Sequence, residues 1–359
     1  MTRPAVRKVA SAVLSYGVVA LVMWILYRTI GKSGAVTDAV DAITWTQVLV
    51  VSVLGLLYLI SQFRPMVYTL PGLTTAQAGV ARTTSLALAN TVPEGGTVAT
   101  GLTFAMYRSW GFRLADSSTS IVAVFIWTNL SRYLLMSVAL VPLVIFGSVT
   151  GSAVWVAVGA CVIVTAVSVM VALVITSKSF ACRIGTVLTD IRAVVARRVD
   201  RIAPKDMVAV VTDFRAQLHS RVRTCWRSLT LTMVASQLLG ALVLGVAVRM
   251  SGLGHDQVSW DRIVVAFGAM WLAALLAPTP GGLGVAEAAL VAVLGVGLAA
   301  DAHAELVAAV LLFRFATWLL PIPLGLITYL YWRLTHNWRV PVGQLPSERQ
   351  IRSEESGSS

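Results

Sequence analysis

An apolar run in this chain is broken by a stretch that cannot be helical throughout. Ala277-Pro278-Thr279-Pro280-Gly281-Gly282-Leu283-Gly284-Val285-Ala286-Glu287 separates apolar segments at roughly 263–277 and 285–299. Each flank is about fifteen residues, short of the about 20 that a perpendicular crossing needs. Prolines and glycines at this density stop a helix, because proline lacks the N–H donor and glycine gives up the most backbone entropy. The pattern predicts a half-helix in, a turn at membrane depth and a half-helix back. Irregular backbone survives at that depth only where it is buried in protein or lines a wet cavity. Interrupted apolar segments of this kind point to the binding site of a transporter. The plainer alternative is a loop joining two short full spans.

The setting for that break is a membrane. Hydrophobic residues make up 57% of the chain and charged residues 12%, which leaves too few polar side chains to coat a soluble fold. A net charge of +12 would suggest nucleic acid in a soluble protein. Here the crowding of arginines into cytoplasmic loops accounts for it, and no nucleic-acid partner is expected. Cys161, Cys182 and Cys225 fit neither a metal spacing nor a disulfide framework, and the four histidines are scattered. No metal or cofactor is expected. The first apolar segment lacks a small-residue cleavage site and reads as an uncleaved span.

Arg3, Arg7 and Lys8 place the N-terminus in the cytoplasm. Full spans are expected at about 9–30, 45–62, 118–148, 152–176, 228–248 and 306–332, the third with tilt or a bend near Pro142. A second Pro/Gly break, Asn90-Thr91-Val92-Pro93-Glu94-Gly95-Gly96, divides a weaker region at 76–110. Residues 177–227 carry eleven Lys or Arg against four Asp, so this segment is placed in the cytoplasm. Two amphipathic helices fit there. The first aligns Ile191, Val194, Val195 and Ile202, and the second aligns Met207, Val210, Val211, Phe214, Leu218 and Val222. They either lie at the inner interface or pack on the transmembrane body. The expected fold class is an all-α polytopic membrane protein with about six full spans and two broken, re-entrant helix pairs. One transmembrane unit fills 1–335, and a polar tail at 336–359 is read as disordered. Tryptophans and tyrosines such as Trp24, Trp45, Trp226, Trp260, Tyr329 and Trp332 read as an interfacial belt.

The two breaks also align with each other. Setting Gly96 on Gly282 puts Gly111 on Gly297 at identical spacing, and each half then enters a long span with a lone arginine, Arg132 or Arg314. With the breaks entering from opposite faces, this is an inverted-topology repeat, a common transporter architecture. Chance matching of glycine-rich segments is the alternative.

Charge inside a span costs about 2.5–3.5 kcal/mol at the centre on insertion scales. Arg82, Glu94, Arg132, Glu287 and Arg314 therefore stand out. One reading is structural, with Glu287–Arg314 and Glu94–Arg132 as buried salt bridges. The other is functional, with the arginines meeting an anionic headgroup, since the planar guanidinium offers phosphate two hydrogen bonds at once. Half-helix N-termini after Gly96 and Gly282 would add N–H groups and positive dipole ends. The candidate substrate-binding set is Arg82, Asn90, Glu94, Gly95, Gly96, Arg132, Pro280, Gly281, Gly282, Gly284, Glu287 and Arg314, with no catalytic residue assigned.

Pro280-Gly281-Gly282-Leu283-Gly284-Val285 with Glu287, then Leu312-Phe313-Arg314 and Pro323-Leu324-Gly325, resembles the transmembrane flippase domain of the lysylphosphatidylglycerol synthase/flippase family. Asn90 to Gly96 resembles its first glycine-rich break, and the likeness covers roughly 9–335. The resemblance implies a stand-alone domain that moves an anionic or aminoacylated phospholipid, or a polyprenyl-linked lipid, between leaflets of the bacterial cytoplasmic membrane. The aminoacyl-transfer domain of bifunctional members is not expected in a chain that stops at Ser359, so synthase activity is not carried over. A membrane-embedded transferase on a lipid-linked donor and a non-catalytic scaffold for an envelope enzyme are the alternatives. Partners are then a membrane lipid, an envelope-biosynthesis enzyme or a second copy. No Walker motif is present, so ATP is not expected to be used by this chain.

Overall fold

The computed structural model describes residues 41–92, 95–145, 207–277 and 279–335, with positions 38, 186 and 338. The expected spans at 9–30 and 152–176, the first amphipathic helix, Glu94 and most of the polar tail lie outside the described residues. Within them the chain is helical and contains no strand. In order, the elements are α1 (Trp45–Ser61), α2 (Phe63–Thr69), α3 (Thr75–Thr91), α4 (Gly95–Ser109), α5 (Leu114–Ile145) and α6 (Met207–Met250). Then come α7 (Trp260–Leu276), a 3₁₀ turn (Pro280–Gly282), α8 (Val285–Leu294), α9 (Ala300–Arg314), a π-helical segment (Phe315–Leu319) and α10 (Pro321–Leu334).

Local chemistry sets several of these boundaries. Thr44 and Thr74 open α1 and α3 through reciprocal caps with Gln47 and Gln77, which satisfy N–H groups that a helix start leaves free. Four stretches are long and apolar enough to cross a membrane: Trp45–Thr69, Leu114–Val141, Val211–Met250 and Ala302–Leu334. They coincide with the expected spans at 45–62, 118–148, 228–248 and 306–332. Their outward faces stay apolar, as lipid contact requires, with Leu49, Val53, Leu57 and Ile60 exposed along α1 and Phe125, Leu134 and Val138 along α5. The chain is a multi-pass membrane protein.

The structure departs from the sequence reading at α6. The second amphipathic helix and the span at 228–248 are expected as separate elements, but α6 runs through both as one helix of 44 residues, about 66 Å long. The apolar face has its own partner: Leu218 and Val222 are buried with Ala123 of α5, and Phe214, Ile126 and Trp127 pack around them. This part of the basic segment therefore packs on the helical body.

Polar ties distinguish two ends of the molecule. At one end Gln47 Nε2 donates to Met250 O at 2.5 Å, and Arg262 Nη1 donates to Val296 O at 2.9 Å. These join the start of α1, the end of α6, the start of α7 and the end of α8. At the other end Arg221 pairs with Asp116 at 3.3 Å, and Trp332 Nε1 donates to Ser109 Oγ at 3.0 Å. These join the basic half of α6, the start of α5, the end of α4 and the end of α10. The α3–α4 hairpin and the α7–α8 hairpin thus enter from opposite ends, and their tips touch inside, where α3 and α4 meet the 3₁₀ turn.

The packing is reciprocal. Each hairpin lies against the long helix of the other half: α3 along α10, and α7 along α5. Gly111 and Gly297, which the sequence alignment pairs, both adopt positive φ, at 90° and 77°. The breaks themselves differ, because Gly282 has φ 70° while Gly95 begins a helix directly. Hairpin lengths differ as well. α7 has 17 residues and α8 has 10, about 26 Å and 15 Å, so the outgoing arm is the shorter one.

The α3–α10 seam relies on close approach. A Cβ at Gly325 would sit 2.2 Å from Ala87 Cβ and 2.7 Å from Thr83 O. Thr84 and Thr328 share a hydroxyl hydrogen bond of 2.8 Å across the same seam. Gly325→Val should therefore force the two helices apart, lowering stability by about 1–3 kcal/mol. A thermal melt of the detergent-purified protein should show the drop, and an unchanged midpoint would refute this packing.

Candidate functional site

The second break is built from the inside by its own side chains. Gly281, Gly282 and Gly284 all adopt positive φ, a region that L side chains rarely enter. At Gly281 there is a second constraint, because a Cβ would lie 2.4 Å from Trp318 Nε1. Thr279 Oγ1 donates to Leu283 O at 3.0 Å and closes the turn. Glu287 then accepts from Gly284 N–H at 2.6 Å, satisfying the first donor of α8.

The other oxygen of Glu287 pairs with Arg314 Nε at 2.5 Å, while Arg314 Nη2 donates to Gly281 O at 3.2 Å. Both side chains are buried, at 10% and 12% exposure. The expected Glu287–Arg314 bridge is thus present, and it fastens α9 to the turn and to the start of α8. At the α8 N-terminus the Gly284 donor is taken by Glu287. By contrast, Gly95, Gly96 and Thr97 at the start of α4 line a cavity, and a Cβ at Gly96 would meet nothing within 4 Å.

That cavity has a volume of about 860 Å³ and is walled by both halves of the molecule. It lies between two hydrophobic clusters. One gathers Val51, Ile263, Phe267, Leu290 and Phe313 from α1, α7, α8 and α9. The other gathers Met66, Leu70, Met106 and Tyr107 from α2 to α4. Of the expected site residues, Arg82, Asn90, Gly95, Gly96, Arg132, Gly281, Gly282 and Arg314 line it. Pro280, Gly284 and Glu287 stand behind the lining and shape it. Glu94 lies outside the described residues.

The three arginines are held differently. Arg314 has a carboxylate. Arg82 donates through Nε and Nη2 to Gln62 Oε1, the former at 3.0 Å. Arg132 donates from Nε to Gln237 Oε1 at 3.2 Å, and its guanidinium lies 3.8 Å from the centre of the Trp271 ring. Among the described residues neither Arg82 nor Arg132 has a carboxylate partner. Neutral amides and a ring face orient these two charges without cancelling them.

Sequence reasoning missed Gln62, Gln237, Trp271 and Trp318. Two signals could have found some of them. Gln237 is a polar residue in mid-span, which deserves the same suspicion as an arginine. Trp318 is four residues after Arg314, hence on the same helical face. The π segment adds to that placement: Asn90 Nδ2 donates to Trp318 O at 2.9 Å, tying the first break to the second half.

The described residues form a helical membrane body in which two opposed hairpins meet over an arginine-lined cavity. A family model described as the transmembrane region of lysylphosphatidylglycerol synthase matches residues 11–325, and the chain belongs to that family. No curated protein matches the chain.

The buried pair gives a direct test of its structural share. Arg314→Met and Glu287→Gln leave a charge alone, and each should cost about 3–5 kcal/mol of stability. The double variant should regain much of that loss. Additive losses in thermal melts would show that the two side chains do not depend on each other.

Proposed function

We propose that this chain is a transporter, not an enzyme, and that it carries an anionic lipid headgroup between leaflets through the central cavity. Membership of the lysylphosphatidylglycerol synthase family connects it to membrane-lipid function. The observation that carries the reading is the charge of the lining: Arg82 and Arg132 have no carboxylate partner among the described residues, while Arg314 is paired with Glu287 behind the lining. Cations without such a partner are costly in this place, and a phosphate would offset that cost through charge-assisted hydrogen bonds. The opposed hairpins support alternate exposure of one site, because each end of the molecule owns one hairpin and both tips reach the same space. The substrate class is an anionic phospholipid or a polyprenyl-phosphate lipid.

Arg132 separates binding from structure better than Arg314, which also holds the turn. In vesicles reconstituted with the protein, Arg132→Met should abolish movement of a fluorescent anionic lipid between leaflets while leaving a folded, extractable protein. Arg132→Lys should rescue in part, since a point charge lacks the guanidinium fork. Parental transport by a folded Arg132→Met protein would sink the assignment.

The orientation proposed with this function has both termini and the basic segment 177–227 in the cytoplasm of a bacterial cell, with the chain in its cytoplasmic membrane. Ser220 is exposed on α6. In a background without Cys161, Cys182 and Cys225, a cysteine replacing Ser220 should resist an impermeant thiol reagent on intact cells and react after lysis. Ready labelling of intact cells would reverse the topology.

A further inference from the structure

The described lining of the cavity keeps two positive charges. Arg82, Arg132 and Arg314 line it, and Glu287, behind the lining, cancels Arg314. Arg82 and Arg132 remain, and among the described residues no carboxylate meets either one. Glu94 stands outside that count. The two arginines come from separate elements, α3 and α5, and lie within electrostatic reach of each other and of Tyr58 on α1. Tyr58 lines the same space. Neither arginine is sealed. Both residues keep accessible surface, and none of their nitrogens is among the buried atoms left without a partner. The glutamines engage only part of each guanidinium: Gln62 takes Nε and Nη2 of Arg82, and Gln237 takes Nε of Arg132. A guanidinium carries five N–H bonds in its plane, so donors remain on both groups. Trp271 covers one face of Arg132 and leaves that plane to other acceptors. Like charges held this close repel each other, and an anion beside both relieves the repulsion.

We infer that the cavity selects a headgroup bearing two negative charges, as a phosphomonoester or a pyrophosphate diester does, over a headgroup bearing one. This rests on the proposed role of the cavity as an anionic lipid-headgroup site. A headgroup with a single charge, such as that of a phosphodiester, neutralises one arginine and leaves the other as it was. A headgroup with two charges engages both and leaves the site neutral. Away from bulk water each added opposite charge counts for more than it does in solution. Discrimination therefore follows the number of charges and not the size of the headgroup.

The test uses the full chain in detergent and two pairs of short-chain probes, each pair close in size and different in charge. Dioctanoyl phosphatidic acid and dioctanoyl phosphatidylmethanol differ by one methyl group; at about pH 8 the first carries about two charges and the second carries one. Farnesyl pyrophosphoryl-N-acetylglucosamine and farnesyl phosphoryl-N-acetylglucosamine make the second pair. Inorganic phosphate is the free-ion arm. Binding is read by microscale thermophoresis. The probe with two charges should bind at least about tenfold more tightly than its partner in one pair or in both, and the pair that shows the preference names its source. Arg82→Gln and Arg132→Gln each remove one charge and should bring that ratio down to about twofold or less. Arg82→Lys and Arg132→Lys restore the charge and should keep most of the ratio. A role confined to folding would weaken both members of a pair alike and leave their ratio unmoved. The parental ratio decides the matter even where no variant folds. Equal binding within both pairs, or a preference that survives in both folded Gln variants, would overturn the inference and leave an anionic-lipid site standing. Inorganic phosphate binding as tightly as the preferred lipid would overturn the lipid as the source of the charge. Binding of none of the lipids would overturn both the inference and the function on which it rests.

Discussion

An arginine inside a hydrocarbon-clad protein must be given partners, and the partners decide where the surrounding backbone can go. Arg314 shows how far that reaches. Its Nε is held by Glu287, whose second oxygen caps α8 at Gly284, and its Nη2 holds the Gly281 carbonyl in the turn. One guanidinium thereby fixes the end of α9, the conformation of the glycine turn and the start of α8. Removing water from this region strengthens each of those bonds and raises the cost of omitting any of them. The irregular backbone of the second break is tolerable because its polar groups are met by side chains from within the same half.

Arg82 and Arg132 follow a different rule. Each is oriented by a glutamine, and Arg132 also by the Trp271 face. A carboxylate would have stabilised these cations and silenced them. An amide fixes the direction of the guanidinium and leaves its charge in place. Arg314 is a fastener, whereas Arg82 and Arg132 keep their charge uncancelled, and the difference follows from the acceptor beside each one.

The architecture was largely legible because membrane constraints are written in one dimension. Apolar length located four described spans, and the Pro/Gly clusters at 90–96 and 277–284 located both tips. The spacing from Gly96 to Gly111 and from Gly282 to Gly297 exposed the repeat. What failed to show was whatever depends on packing between distant segments. The continuity of α6 through its basic half rests on Leu218 and Val222 meeting Ala123, and no periodicity announces that partner. Trp271 and Trp318 look in sequence like any tryptophan of an interfacial belt. Their distinction lies in what faces them across the fold, and Gln62 and Gln237 become informative only once α1 and α6 bring them to arginines.

The π segment at Phe315–Leu319 turns a spacing irregularity into a joint. An i→i+5 turn accommodates one residue more than a regular helix and frees neighbouring carbonyls to point sideways. Here the surplus lies between Arg314, fixed to the second hairpin, and Gly325, fixed against the first. Trp318 O is turned to Asn90, and Ala316 O would lie 2.8 Å from a Cβ at Gly55 on α1. The segment is in effect a phase shifter: it sets the angular offset between two binding faces carried by a single rod. The rotational register of the two hairpins on that rod is therefore set within one helical turn.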